Sequence, residues 1–153
     1  MAESLTAPLG YAGIESLLPH AAPMVLLDVV ESWDSQTICC SAQSHLAIDN
    51  PLRQSGILSV YAGVEYAAQA QAIHARLTAN ADADETPRKG FVAVASKLEA
   101  SVRDLDEIAV PLQIELTQLA ANDQSSLYRF SLSAAGNQLL QGELLAVLAP
   151  ADE

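Results

Sequence analysis

Glu65 is the only formal charge between Arg53 and Arg76, in a run over 57–73 that is otherwise apolar, small or neutral. Alanine dominates that run and Gly63 stands within it. A helix over about 59–79, with Ser59 as its N-cap, therefore has a thin profile that a sheet can approach closely. The run is apolar enough to raise the question of a membrane span. Glu65, Gln69 and Gln71 at its centre, and its modest length, answer against one. The fold is thus constrained by the need to enclose this helix.

The flanking segments supply the means. Residues 14–18 make one short helical turn ending at Pro19. Residues 24–33 read as a strand and 36–44 as its hairpin partner. Asp49-Asn50-Pro51 signals a loop that Ser55-Gly56 closes. Beyond the helix, 80–87 is a polar connection, followed by strands over 90–103, 109–121, 125–133 and 138–148. Breaks at 104–107, Asn122-Asp123 and Gly136-Asn137 suit an antiparallel meander. A strand pair, one long helix and several antiparallel strands make an α+β chain. The expected arrangement is a hotdog, one central helix wrapped by a curved antiparallel sheet. No internal repeat appears, and 153 residues fit a single domain over 1–153.

Charge narrows the partners. Seven Lys and Arg against 19 Asp and Glu give a net charge of −12. That argues against nucleic acid or an anionic membrane, both of which demand a basic face. Met1-Ala2-Glu3-Ser4 lacks the basic and apolar regions of a signal peptide, and the adjacent Cys39 and Cys40 suit a reducing compartment, so the expected location is cytoplasmic. On a strand these cysteines point to opposite faces, which rules out a shared metal site.

Two residues carry the chemistry. A carboxylate in an apolar helix is costly to bury unless it is paired, hydrogen-bonded or protonated. Glu65 is therefore either an ion-pair partner of Arg53, Arg76 or Lys97, or a reacting group. His20, between Pro19 and Pro23 ahead of an apolar strand, is either a loop histidine or a base. Together they are the minimum equipment for general acid–base work. Gln69, one turn beyond Glu65, can orient its carboxyl group or simply pack. Tyr61 and Tyr66 line a pocket or the core. His74 is out of phase with Glu65 and should face away, and His45 reads as a surface or edge residue. There is no phosphate loop, no HExxH and no serine elbow.

Leu18-Pro19-His20, with Pro23-Met24 and Leu26-Leu27-Asp28, resembles the histidine motif of bacterial 3-hydroxyacyl-acyl-carrier-protein dehydratases. Glu65 with Gln69 resembles the Glu-x-x-x-Gln of their central helix. Asn50-Pro51-Leu52, Gly56, Gly63-Val64-Glu65-Tyr66-Ala67-Ala68-Gln69-Ala70 and Leu127-Tyr128-Arg129-Phe130 are similar to a branch of hotdog dehydratases associated with aryl polyene synthesis. The resemblance implies His20 as base, removing an α-proton from a 3-hydroxyacyl thioester. Glu65 is then the acid that protonates the departing hydroxyl. It places the thioester against the start of the helix, where the family has a Pro-Gly or similar pair and this chain has Ser59-Val60. There the N–H of Val60 or Tyr61 is expected to meet the carbonyl. Ala21 also departs from the family, which commonly has a basic residue after the histidine.

No cofactor or metal is implied. The implied partners are an acyl carrier protein that delivers the substrate and a second hotdog subunit, in a homodimer or a hetero-oligomer. Carrier proteins are acidic, as is this chain, so Arg88 and Lys89, with Arg53, are the expected local contact. Two rival readings share the scaffold: a thioesterase using Glu65 to activate water, and a non-catalytic subunit that supports an active partner.

Overall fold

The computed structural model describes residues 7–18, 24–78 and 92–147. A short helix α1 (Tyr11–Leu17) precedes strands β1 (Val29–Trp33) and β2 (Thr37–Ala42). Helix α2 (Gly63–Leu77) follows, then β3 (Val92–Ala100), β4 (Leu112–Ala121), β5 (Ser125–Ala134) and β6 (Asn137–Val147). The six strands form one sheet in the order β1-β2-β4-β5-β6-β3, with every pairing antiparallel. This is the expected α+β arrangement. No helix among the described residues is long and apolar enough to cross a membrane.

Strand alternation builds the cradle for α2. Ile38, Cys40 and Ala42 of β2 are buried, as are Leu112, Ile114 and Leu116 of β4. So are Tyr128, Phe130 and Leu132 of β5 and Leu140, Leu144 and Ala146 of β6. This period of two puts one face of each strand on the core. Cys40 points inward, while Cys39 reaches toward Gln113 on the other face. Helix α2 packs on β2, β4, β5 and β6 and buries Tyr66, Ala67, Ala70 and Ile73. Gly63 marks the closest approach. A Cβ there would stand 2.6 Å from Leu132 Cδ2 and 3.1 Å from Leu140 Cδ2, both side chains wholly inside the core.

Helix α2 is entered through a 3₁₀ turn (Val60–Ala62) capped by Ser59, whose Oγ accepts the N–H of Tyr61 at 3.1 Å. It ends at Leu77, where both the N–H and the hydroxyl of Thr78 donate to His74 O. The strand expected over 24–33 starts only at Val29, because the backbone of Met24 and Leu26 bonds to side chains rather than to a ladder. Leu26 N–H donates to Gln69 Oε1 at 2.9 Å, Gln69 Nε2 donates to Met24 O at 2.6 Å, and Ser44 Oγ donates to Leu26 O at 2.7 Å. Val25, Leu26 and Leu27 are consequently buried in succession.

The two sheet edges differ. Leu9 covers the outer edge of β1 through a reciprocal pair of backbone bonds with Val30, at 2.9 and 2.8 Å. The outer edge of β3 has no strand partner among the described residues, and Val94 on it is 55% exposed.

Candidate active site

Glu65 lies in the first turn of α2, half-buried, and faces a surface groove of about 540 Å³. Leu52, Gln54, Ile57, Ser59, Tyr61, Ala62 and Val64 line the rest of it. The groove thus joins one carboxyl group to a largely apolar wall with hydroxyl and amide edges.

The wall is held by a braced loop. Ser55 and Gly56 take left-handed conformations (φ 54° and 80°), and Gln54 and Ile57 exchange backbone bonds across them at 2.9 and 3.0 Å. This tight turn is the loop closure expected at Ser55-Gly56, and it aims Gln54 and Ile57 into the groove. Arg53 fastens the loop from behind. Its guanidinium donates to the carbonyls of Ala47 (3.0 Å), Gly56 (3.2 Å) and His45 (2.8 Å) and to the Asp106 carboxylate. Asp106 Oδ2 in turn accepts Leu58 N–H at 3.0 Å. Those bonds hold the Asp106 carboxyl below the usual carboxylate range, the Arg53 guanidinium being the largest cause.

A second brace runs beneath Glu65. Ser44 spends its one hydroxyl proton on Leu26 O, so Tyr66 O–H donates to Ser44 Oγ at 2.7 Å. Asn50 Nδ2 donates to Tyr66 Oη at 3.1 Å and to Ser44 O at 2.9 Å, while Asn50 Oδ1 accepts Leu52 N–H at 2.8 Å. Tyr66 is therefore a core residue whose hydroxyl pins the loop to α2, and burial raises its pKa.

Among the sequence candidates, Glu65 and Tyr61 share the groove. Val60 is fully buried beneath it. The expectation of a free N–H at Val60 or Tyr61 does not hold. Val60 N–H donates to Arg103 O at 3.0 Å and Tyr61 N–H to Ser59 Oγ, because residues 58–60 pair with 103–105 and Ser59 caps the turn. Gln69 is 2% exposed, and both ends of its amide bond the backbone of Met24 and Leu26. It fastens the later part of the histidine motif, at Met24 and Leu26. His20, Ala21, Arg88 and Lys89 lie outside the described residues.

The ion-pair reading of Glu65 finds no support from Arg53, which pairs with Asp106, or from Lys97, which pairs with Glu143 at 3.5 Å. Arg76 is eleven residues further along the helix, about 16 Å of axial rise away. Among the described residues Glu65 has no hydrogen-bond or ion-pair partner.

His45 is a correction. It is fully buried rather than at the surface, since the 3₁₀ turn at Ser44–Leu46 directs its ring inward, where Nε2 donates to Ile108 O at 2.9 Å. Burial pushes its pKa down. His74 does face away from Glu65. Its Nε2 donates to Asp34 O at 2.8 Å and its Nδ1 accepts from the Tyr128 hydroxyl. Burial raises the pKa of both cysteine thiols, that of Cys40 more, so neither is poised as a nucleophile. Sequence reasoning did not find the Arg53–Asp106 brace. Its one signal was Arg53 itself, a cation bordering a long uncharged run.

A family model described as ApeP-like, ApeP dehydratase, matches residues 12–153. No curated protein matches the chain. Among solved structures, the chain resembles the dehydratase heterocomplex ApeI:P from Xenorhabdus doucetiae, with TM-score 0.73 and 22% identity over 90% of this chain and 91% of that one. It also resembles a putative thioesterase from Silicibacter sp. TM1040, with TM-score 0.61 and 12% identity over 96% of each chain. A thioesterase from Haemophilus influenzae gives TM-score 0.56 and 13% identity over 95% of this chain and 94% of that one. At these identities the structural likeness is one of fold.

Proposed function

This chain belongs to the ApeP-like dehydratase family, and from that premise we propose that it removes water from 3-hydroxyacyl thioesters carried on acyl carrier protein, leaving trans-2-enoyl thioesters. His20 takes the α-proton and Glu65 gives a proton to the departing 3-hydroxyl. The observation that carries this reading is the isolation of Glu65. The polar groups that the sequence offered as its partners are committed elsewhere: Arg53 to Asp106 and three carbonyls, and Gln69 to Met24 and Leu26. The one carboxyl group facing the groove has no partner among the described residues, so it is free to exchange a proton with a bound molecule.

Gln69 supports the pairing with His20. It fixes the backbone from Met24 to Leu26 against the same helix that carries Glu65, one turn away. Apolar Leu52, Ile57 and Val64 suit an acyl or aryl chain, and aryl polyene intermediates are the substrates we expect. Intact-mass measurement of aryl and alkyl 3-hydroxyacyl carrier-protein substrates tests the reading. Loss of one water, abolished in both His20→Ala and Glu65→Gln, is the expected result. Release of free acid would identify a thioesterase instead.

A second reading has its own support. The Xenorhabdus relative was solved as a heterocomplex, and the outer edge of β3 is unpaired among the described residues. In that reading a second hotdog subunit pairs with this chain and performs the chemistry. A complex in which Glu65→Gln is silent, while a partner's substitution abolishes turnover, would establish it.

A further inference from the structure

Resting on the dehydratase reading, we infer that the hydroxyl of Ser59 is the hydrogen-bond donor that receives the thioester carbonyl in the groove. Loss of the α-proton to the base leaves an electron pair that spreads onto the carbonyl oxygen before the C3–O bond breaks. That oxygen needs a fixed donor as its charge grows. The backbone donors nearest at hand, Val60 and Tyr61 N–H, are spent on Arg103 O and Ser59 Oγ. The side chains lining the groove that can donate are those of Gln54, Ser59 and Tyr61.

Of these three, Ser59 alone is fixed in place. Its Oγ accepts Tyr61 N–H at 3.1 Å, which holds the oxygen while leaving the hydroxyl proton unspent. All three are exposed at the groove, and the side chains of Gln54 and Tyr61 make no hydrogen bond among the described residues. A donor anchored before the substrate arrives stabilises developing charge without reorganising, and two loosely held ones do not. The backbone of Ser59 is fixed as well, between Leu58, whose carbonyl accepts Leu105 N–H at 2.8 Å, and Val60, whose N–H meets Arg103 O at 3.0 Å. Ser59 makes no bond to substrate beyond this hydrogen bond, and the proton stays on Oγ throughout.

The test compares three variants in the hydration direction, following loss of conjugated-thioester absorbance with an enoyl-pantetheine substrate. Ser59→Thr keeps both the cap and the donor. Ser59→Asp keeps an acceptor for Tyr61 N–H but has no proton to give. Ser59→Gly tolerates the cap position and removes the hydroxyl without adding charge. The expected result is a kcat within about tenfold of wild type for Thr, and a loss of about 10²–10³-fold in both Asp and Gly, with KM little changed. Melting temperatures of all three should stay close to wild type, which separates donation from capping. A wild-type kcat in either Asp or Gly overturns the assignment while leaving the dehydratase reading intact. An inactive wild-type chain, tested alone and with its co-purified partner, overturns both.

Discussion

At the scale of single residues, the groove depends on one ion pair that touches none of its contents. Arg53 collects the carbonyls of His45, Ala47 and Gly56 and the carboxylate of Asp106, which itself holds Leu58 N–H one residue before Ser59. Replacing Asp106 by Asn keeps the shape and removes the charge. The sign of its pH effect follows from linkage. Arg53 holds the folded-state carboxyl below its usual range, so on acidification the unfolded chain takes up that proton first. The stabilisation is complete above the usual carboxylate range and is lost as pH falls through the folded value. Chemical denaturation at a series of pH values should show wild type losing stability on acidification, with a shallower loss in Asp106→Asn; parallel curves would contradict this. None of this was legible in the sequence. Arg53 and Asp106 are more than fifty positions apart, and neither sits in a motif. Glu65, by contrast, was legible, because a lone charge in an apolar helix announces itself without any tertiary information.

At the scale of elements, the helix and its cradle were readable and the segment before β1 was not. Alanine content and Gly63 predicted a helix that a sheet approaches closely, and the core contacts of Gly63 are that approach. Valine and leucine over 25–27 promised a strand, yet side chains of Gln69 and Ser44 take the backbone bonds of Met24 and Leu26 that a ladder would have used. Periodicity reports burial, and these residues are buried, but it does not say what their peptide groups bond. Two substitutions probe these elements. Gly63→Ala gains about 1 kcal/mol of helix propensity. It also drives a methyl to within 2.6 Å of the buried Leu132. Overpacking of about 1–3 kcal/mol should win, lowering the melting temperature; a higher one would contradict the close-approach account. Gln69→Ala strips the buried Leu26 N–H and the half-buried Met24 O of their partners, and the buried N–H alone costs about 1–3 kcal/mol. It should destabilise the chain and slow turnover together, because it also frees the segment that leads to His20. Undiminished turnover in Gln69→Ala would argue that the segment needs no such anchor.

At the scale of the whole molecule, one sheet edge is covered at Val30 by Leu9 and the other, β3, is open among the described residues, with Val94 exposed along it. Open edges of this kind pair with another chain. Sedimentation at micromolar concentration is expected to give at least a dimer, alone or with a second hotdog subunit, and a stable monomer would contradict the account. The overall charge of −12 was plain from composition, but charge summed over a chain does not locate the local surface on which the proposed acidic carrier would dock.

The central claim is that Glu65 is the acid. The most direct measurement is single-turnover dehydration of a 3-hydroxyacyl carrier-protein substrate, by intact mass, for wild type and Glu65→Gln in whatever assembly the wild-type chain purifies. The account predicts loss of water by wild type and a rate slowed about 10²–10⁴-fold in Glu65→Gln, as removal of a general acid should do, with the fold unchanged. Equal rates for the two proteins would contradict it and place the chemistry on another residue or another subunit.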